Sequence, residues 1–113
     1  MFEPNRRLIL ECLQELADER FQVEVWAGLD PARMSSFVEC CEGLFDDSGL
    51  GDALDAGDVF GPELDRALTD LNAQLSTVDE YASIQELLAN PRLTAARDMA
   101  AAILTRWETD LGG

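Results

Sequence analysis

The chain has 113 residues, with 23 acidic against 8 basic side chains, no histidine and a net charge of −15. Such a field repels nucleic acid and anionic lipid, and it attracts basic proteins and cations. A hydrophobic content of 47% is too high for a disordered acidic tail and the length suits one domain over residues 1–113, so the acids belong to a folded surface.

Pro4, Pro31, Pro62 and Pro91 each stand before a run with apolar residues at helical spacing. Asp30 and Asn90 before two of them are good N-caps, and Gly61 before a third is acceptable. Proline suits the first helical position, where its missing N–H is not needed. Four main helices are expected, each starting at or beside a proline.

The first covers Pro4 to Ala17, with Leu8, Ile9, Cys12, Leu13 and Leu16 as its apolar stripe. Between Glu19 and Gly28, Phe21, Val23 and Val25 alternate as in a strand, while Phe21, Val25 and Trp26 fit a short helix. No other segment alternates to pair with a strand, so a short helix is expected. The second main helix covers Pro31 to Phe45. Met34, Phe37, Val38, Cys41, Leu44 and Phe45 should face inward, and Ser35, Glu39, Glu42 and Asp46 should form an acidic outer stripe.

The connection from Asp47 to Gly61 holds Gly49, Gly51, Gly57 and Gly61. It reads as a long loop with at most a short helical turn at Asp52 to Asp55, either a solvated crossover or a contact segment. The third main helix runs from Pro62 to Asp79, with Leu64, Leu68, Leu71, Leu75 and Val78 in strict 4-3-4-3 spacing. That pattern lasts little more than two heptads, so packing within a bundle is expected rather than a coiled coil. A short helix at Ile84 to Ala89 leads to the last, Pro91 to Leu111, whose inner face is Leu93, Ala96, Ala100, Ile103, Leu104, Trp107 and Leu111. The expected fold is all-α: a compact bundle of four main helices plus one or two short helices.

Catalytic and metal chemistry finds little support. Without histidine there is no Ser-His-Asp or Cys-His arrangement, and without lysine no Schiff base or phosphate-loop lysine. Cys12, Cys40 and Cys41 are odd in number and two are adjacent. They suit buried thiols rather than a disulfide framework or a zinc site. An EF-hand fails from Asp46, where Leu50 takes a ligand position and Gly57 stands in place of the closing glutamate. Carboxylate pairs occur, but none is marked for acid–base work. No enzyme activity, cofactor or metal is expected. No stretch approaches the roughly 20 apolar residues of a membrane span, and the start reads without a secretory signal, so the expected location is the cytoplasm.

Leu16-Ala17-Asp18, followed by Phe21-Gln22 and Trp26, resembles a Leu-x-Asp-x-x-Phe-Gln-x-x-x-Trp stretch of small uncharacterised acidic actinobacterial proteins. In size, acidity and helical pattern the chain is also similar to the immunity proteins of bacterial polymorphic toxin systems. That likeness implies a cytoplasmic protein that binds and neutralises a cognate toxin domain.

Between Arg33 and Arg66 lie nine carboxylates and no basic residue. From this segment Glu39, Glu42, Asp46, Asp47, Asp52, Asp55 and Asp58 are the expected partner-binding residues. A rigid surface of carboxylates can occupy the cationic site of a nuclease or other phosphate-handling protein, because arginine and lysine bond carboxylates as they bond phosphates. The expected partner is thus a basic protein, such as a toxin domain, and neither nucleic acid nor membrane. Two competing readings remain: a helical subunit self-associating, as a homodimer for example, through the Leu64 to Val78 stripe or the alanine-rich last helix, and a small enzyme or ligand-binding protein using Trp26, Trp107 or Tyr81 around a pocket.

Overall fold

The computed structural model describes residues 4–27 and 36–111. Helix α1, Arg6–Ala17, begins after Asn5, whose side chain accepts a hydrogen bond from the Leu8 amide. Asp18 ends it and caps α2, Glu19–Phe21, which runs on as a π-helical turn, Gln22–Trp26. The short helix expected in this segment is therefore present, and among the described residues there is no strand.

Helix α3, Phe37–Glu42, is capped by Ser36 and continues as a second π-helical turn, Gly43–Asp47. Pro31, Met34 and Ser35, assigned to this helix from the sequence, lie outside the described residues. Ser36 is extended, with φ −150° and ψ 167°, so the helix is not one unbroken run from Pro31. A serine accepting from the amide three residues on is a stronger start than the periodicity conveys.

The connection from Asp47 to Gly61 departs most from expectation. The turn expected at Asp52 to Asp55 is part of a longer helix: Leu50–Ala56 form α4, packed on the second π-turn. Gly49, with φ 82°, turns the chain there and the buried Leu50 and Ala53 anchor the helix. The return to α5, Pro62–Leu75, is latched by Asp65, whose carboxylate accepts from the Val59 and Phe60 amides at 2.8 and 2.9 Å.

Helix α5 stops at Leu75, short of the expected Asp79. The Ser76 hydroxyl bonds the Asn72 and Ala73 carbonyls and that of Thr77 bonds Gln74, so side chains take up the acceptors of the last turn. Val78 stays buried, but in the turn beyond. Helices α6, Ile84–Ala89, and α7, Pro91–Leu111, match the expected bounds.

Helix α7 is the centre of the bundle, with α1, α5 and α6 packed on it, while α3 and its π-turn pack on α1. Ala96 and Ala100 are fully buried, small enough for neighbouring helices to come close. The leucine stripe of α5 is buried along its whole length, so the surface that would have made a dimer seam is used within the chain.

Each π-turn brings two successive side chains inside: Val25 with Trp26, and Leu44 with Phe45. The wider turn narrows the angle between neighbours. It also shifts the inner face of α3. Phe37 and Cys40 are buried, whereas Val38 and Cys41, expected inside, are half-buried. Gly43 permits the approach of this segment to α1, since a Cβ there would meet the Cys12 sulfur at 2.9 Å.

Candidate partner-binding surface

All seven acids singled out from the sequence are exposed. Glu39 lies in the first turn of α3 and Glu42 at its end; Asp46 and Asp47 close the π-turn. Asp52 and Asp55 stand on α4, and Asp58 follows it. Ion pairs among the described residues include Arg7–Glu11, Arg20–Glu24, Arg97–Glu19 and Arg106–Glu63. None among the described residues involves any of the seven, so their charge is uncompensated by a bonded arginine there and projects into solvent.

Two of the seven, Glu42 and Asp46, border a groove of about 520 Å³ between α3 with its π-turn and the chain that follows α5. Its apolar lining comes from Phe37, Val38, Phe45, Leu75 and Val78. Asp79, Glu80 and Tyr81, from the chain that follows α5, line it as well. The groove lining thus combines acidic side chains from two segments with apolar ones.

Asp79, Glu80 and Tyr81 are not among the contact residues expected from the sequence. Periodicity carries α5 on to Asp79 and so hides the turn that holds them. A pair of acids and an aromatic between two helical runs is the available signal. The Asp79 carboxylate accepts from the Tyr81 amide at 3.0 Å and holds this turn in shape. Tyr81 itself is 89% exposed, while Trp26 and Trp107 belong to the core.

The three thiols are shifted in different directions: the hydrogen bond with Cys40 lowers the Cys12 thiol against the opposing effect of burial, while Cys40 and Cys41 are raised. Cys41 lines the groove, and burial, with Glu80 as the largest charged neighbour, pushes its pKa up to about 12. The hydrogen bond to Cys12, followed by burial, drives the Cys40 thiol strongly upward, and its sulfur also donates to the Cys12 carbonyl at 3.4 Å.

A second polar group ties the N-terminal segment to α7. Gln22 is fully buried, and its amide nitrogen donates to the Leu16 carbonyl at 2.7 Å. Its oxygen accepts from the Arg97 guanidinium at 2.8 and 3.3 Å. The Trp26 indole donates to Glu15 at 2.7 Å. The Leu16 to Trp26 motif is thereby accounted for as architecture: a buried leucine, a capping aspartate, a buried glutamine and an anchored tryptophan.

No protein-family model, characterised protein or solved structure matches this chain. Among the described residues, no group of Cys, Asp and Glu side chains is arranged to hold a metal ion, and no helix is long and apolar enough to cross a membrane.

Proposed function

We propose that this protein is a cytoplasmic, acidic, protein-binding inhibitor of the immunity-protein kind, which neutralises a basic toxin or nucleic-acid-handling partner by covering its cationic site. The observation that carries this reading is the set of seven exposed carboxylates from Glu39 to Asp58, none paired with an arginine among the described residues. Held on helices and their turns, they present charge without having to be ordered on binding, which lowers the entropic cost of the complex.

The mechanism is steric and electrostatic blockade. Long-range attraction raises the encounter rate with a basic surface, and a desolvated centre sets the lifetime of the complex. The rim charges then act mainly on association. Charge reversal at Asp52, Asp55 and Asp58 together is expected to slow association and flatten its salt dependence, with dissociation little changed.

Affinity capture from the source lysate, washed at low and at high salt and followed by mass spectrometry, tests the reading. One basic protein retained in near-equal amount and released by salt supports it. Retention of the protein alone, or of nothing, refutes it and returns the self-associating helical subunit, which light scattering would then show as a dimer.

A further inference from the structure

We infer that the groove between α3 and the turn after α5 docks a partner segment in which an apolar side chain is flanked by arginines or lysines. This rests on the reading of the protein as a binder of a basic partner, and it moves the centre of contact from α4 to the groove.

Three features select that occupant. Phe37, Val38, Phe45, Leu75 and Val78 give an apolar anchor a hydrophobic surface to pack on. Glu42 and Asp46 from α3 and its π-turn, with Asp79 and Glu80 from the chain after α5, bring carboxylates to the groove from both segments that bound it. A long cationic stem can lie along the apolar lining while its head reaches a carboxylate. Tyr81, at the edge, is a large aromatic left 89% exposed. Aromatic rings of this kind are enriched at contact centres, and a guanidinium stacks on their faces. Arg92, the arginine bonded to this turn, places its guanidinium on the Thr77 carbonyl at 3.0 Å and is not part of the groove lining.

Charge also decides against a second copy of the chain. Two molecules of net charge −15 repel each other, and the groove walls would meet another acidic surface. The groove volume is within the range of about 300–1,000 Å³ typical of binding clefts, enough for a few side chains rather than a whole domain face.

The test is a titration of the full-length isotope-labelled chain, followed by amide NMR shifts. The probes are three short helical peptides: leucines one turn apart with arginine elsewhere; the same with alanine for leucine; and the same with glutamate for arginine. The arginine–leucine peptide is expected to shift the amides of Val38, Cys41, Glu42 and Asp79 to Tyr81, and to bind more tightly than either control. Tyr81→Ala, and Asp79→Asn with Glu80→Gln, should each weaken it by about tenfold, as for central contact residues. Both changes fall on exposed positions, and Asp79→Asn keeps a side-chain oxygen as acceptor for the Tyr81 amide. Asp52→Asn with Asp55→Asn should weaken it less.

Equal binding of the arginine–alanine peptide, with shifts centred on α4, overturns the groove but leaves the basic-partner reading intact. Absence of binding by every peptide overturns the groove, and the lysate capture then judges the broader reading by itself. Concentration-dependent shifts at the groove without peptide would assign it to a second copy and overturn the proposal.

Discussion

Gln22 shows how much one polar side chain can carry. It is fully buried, satisfied at both ends, and links α1 to Arg97 on α7. Removing it leaves the Arg97 guanidinium, only 11% exposed, with the longer 3.8 Å contact to Glu19. Gln22→Leu is therefore expected to cost about 2–4 kcal/mol in chemical denaturation, because a buried charge that loses its nearest hydrogen-bond acceptor costs more than a lost neutral bond. Adding Arg97→Leu should recover part of that loss, and strict additivity of the two changes would refute the link. Gly43 is a second such residue. Gly43→Ala pushes a methyl against the Cys12 sulfur and should destabilise by about 1–3 kcal/mol, measured as a fall in the denaturation midpoint. The thiols give a pH dependence. Cys41 is raised from 9.0 to about 12, so between those values the unfolded chain loses a proton that the folded chain keeps. Stability should therefore be complete below about pH 9 and decline towards pH 12, and Cys41→Ala should shallow that decline in thermal melts.

At the scale of elements, short range decides where helices stop. Asp65 latches the turn between α4 and α5 through two backbone amides. Asp65→Ala should cost about 1–3 kcal/mol and speed amide exchange at Val59 and Phe60, leaving α7 protected. Helices α1, α5, α6 and α7 are readable in the sequence because apolar spacing, proline and cap residues all agree there. Helix α4 is not. Leu50, Ala53 and Leu54 form too brief an apolar pattern, and four glycines nearby read as loop. Its stability comes from packing on the π-turn, which is tertiary information. Cys40 suits a buried thiol but falls outside the apolar stripe for a related reason: the inner face of α3 depends on its junction with the π-turn, and no periodicity rule contains that shift. The exposure of the seven acids follows directly from charge, whereas the groove requires knowing that α5 ends at Leu75. Its acids come from segments more than thirty residues apart in sequence, and only the fold brings them together.

Across the whole molecule, the charge works against the compact state. With net charge −15, shortening the screening distance should relieve repulsion among the carboxylates. The melting temperature is expected to rise as salt increases from near zero to about 0.15 M, where the Debye length is about 8 Å. A melting temperature that stays flat or falls would mean that the exposed acids are already balanced in the fold. The same salt should weaken partner association, so stability and binding are expected to move in opposite directions over one titration. That opposition separates electrostatic steering from a general effect of salt on folding.

The sheltered thiols also make the native chain a convenient vehicle for a reporter group. Cys12 and Cys40 are buried, and Cys41 is half-buried with its proton tightly held, so maleimide dyes at neutral pH have little native sulfur to attack. Ser76 lies on the lip of the groove and is exposed. Ser76→Cys would then accept a single fluorophore beside Tyr81 without deleting any natural cysteine, and docking could be followed as a change in emission.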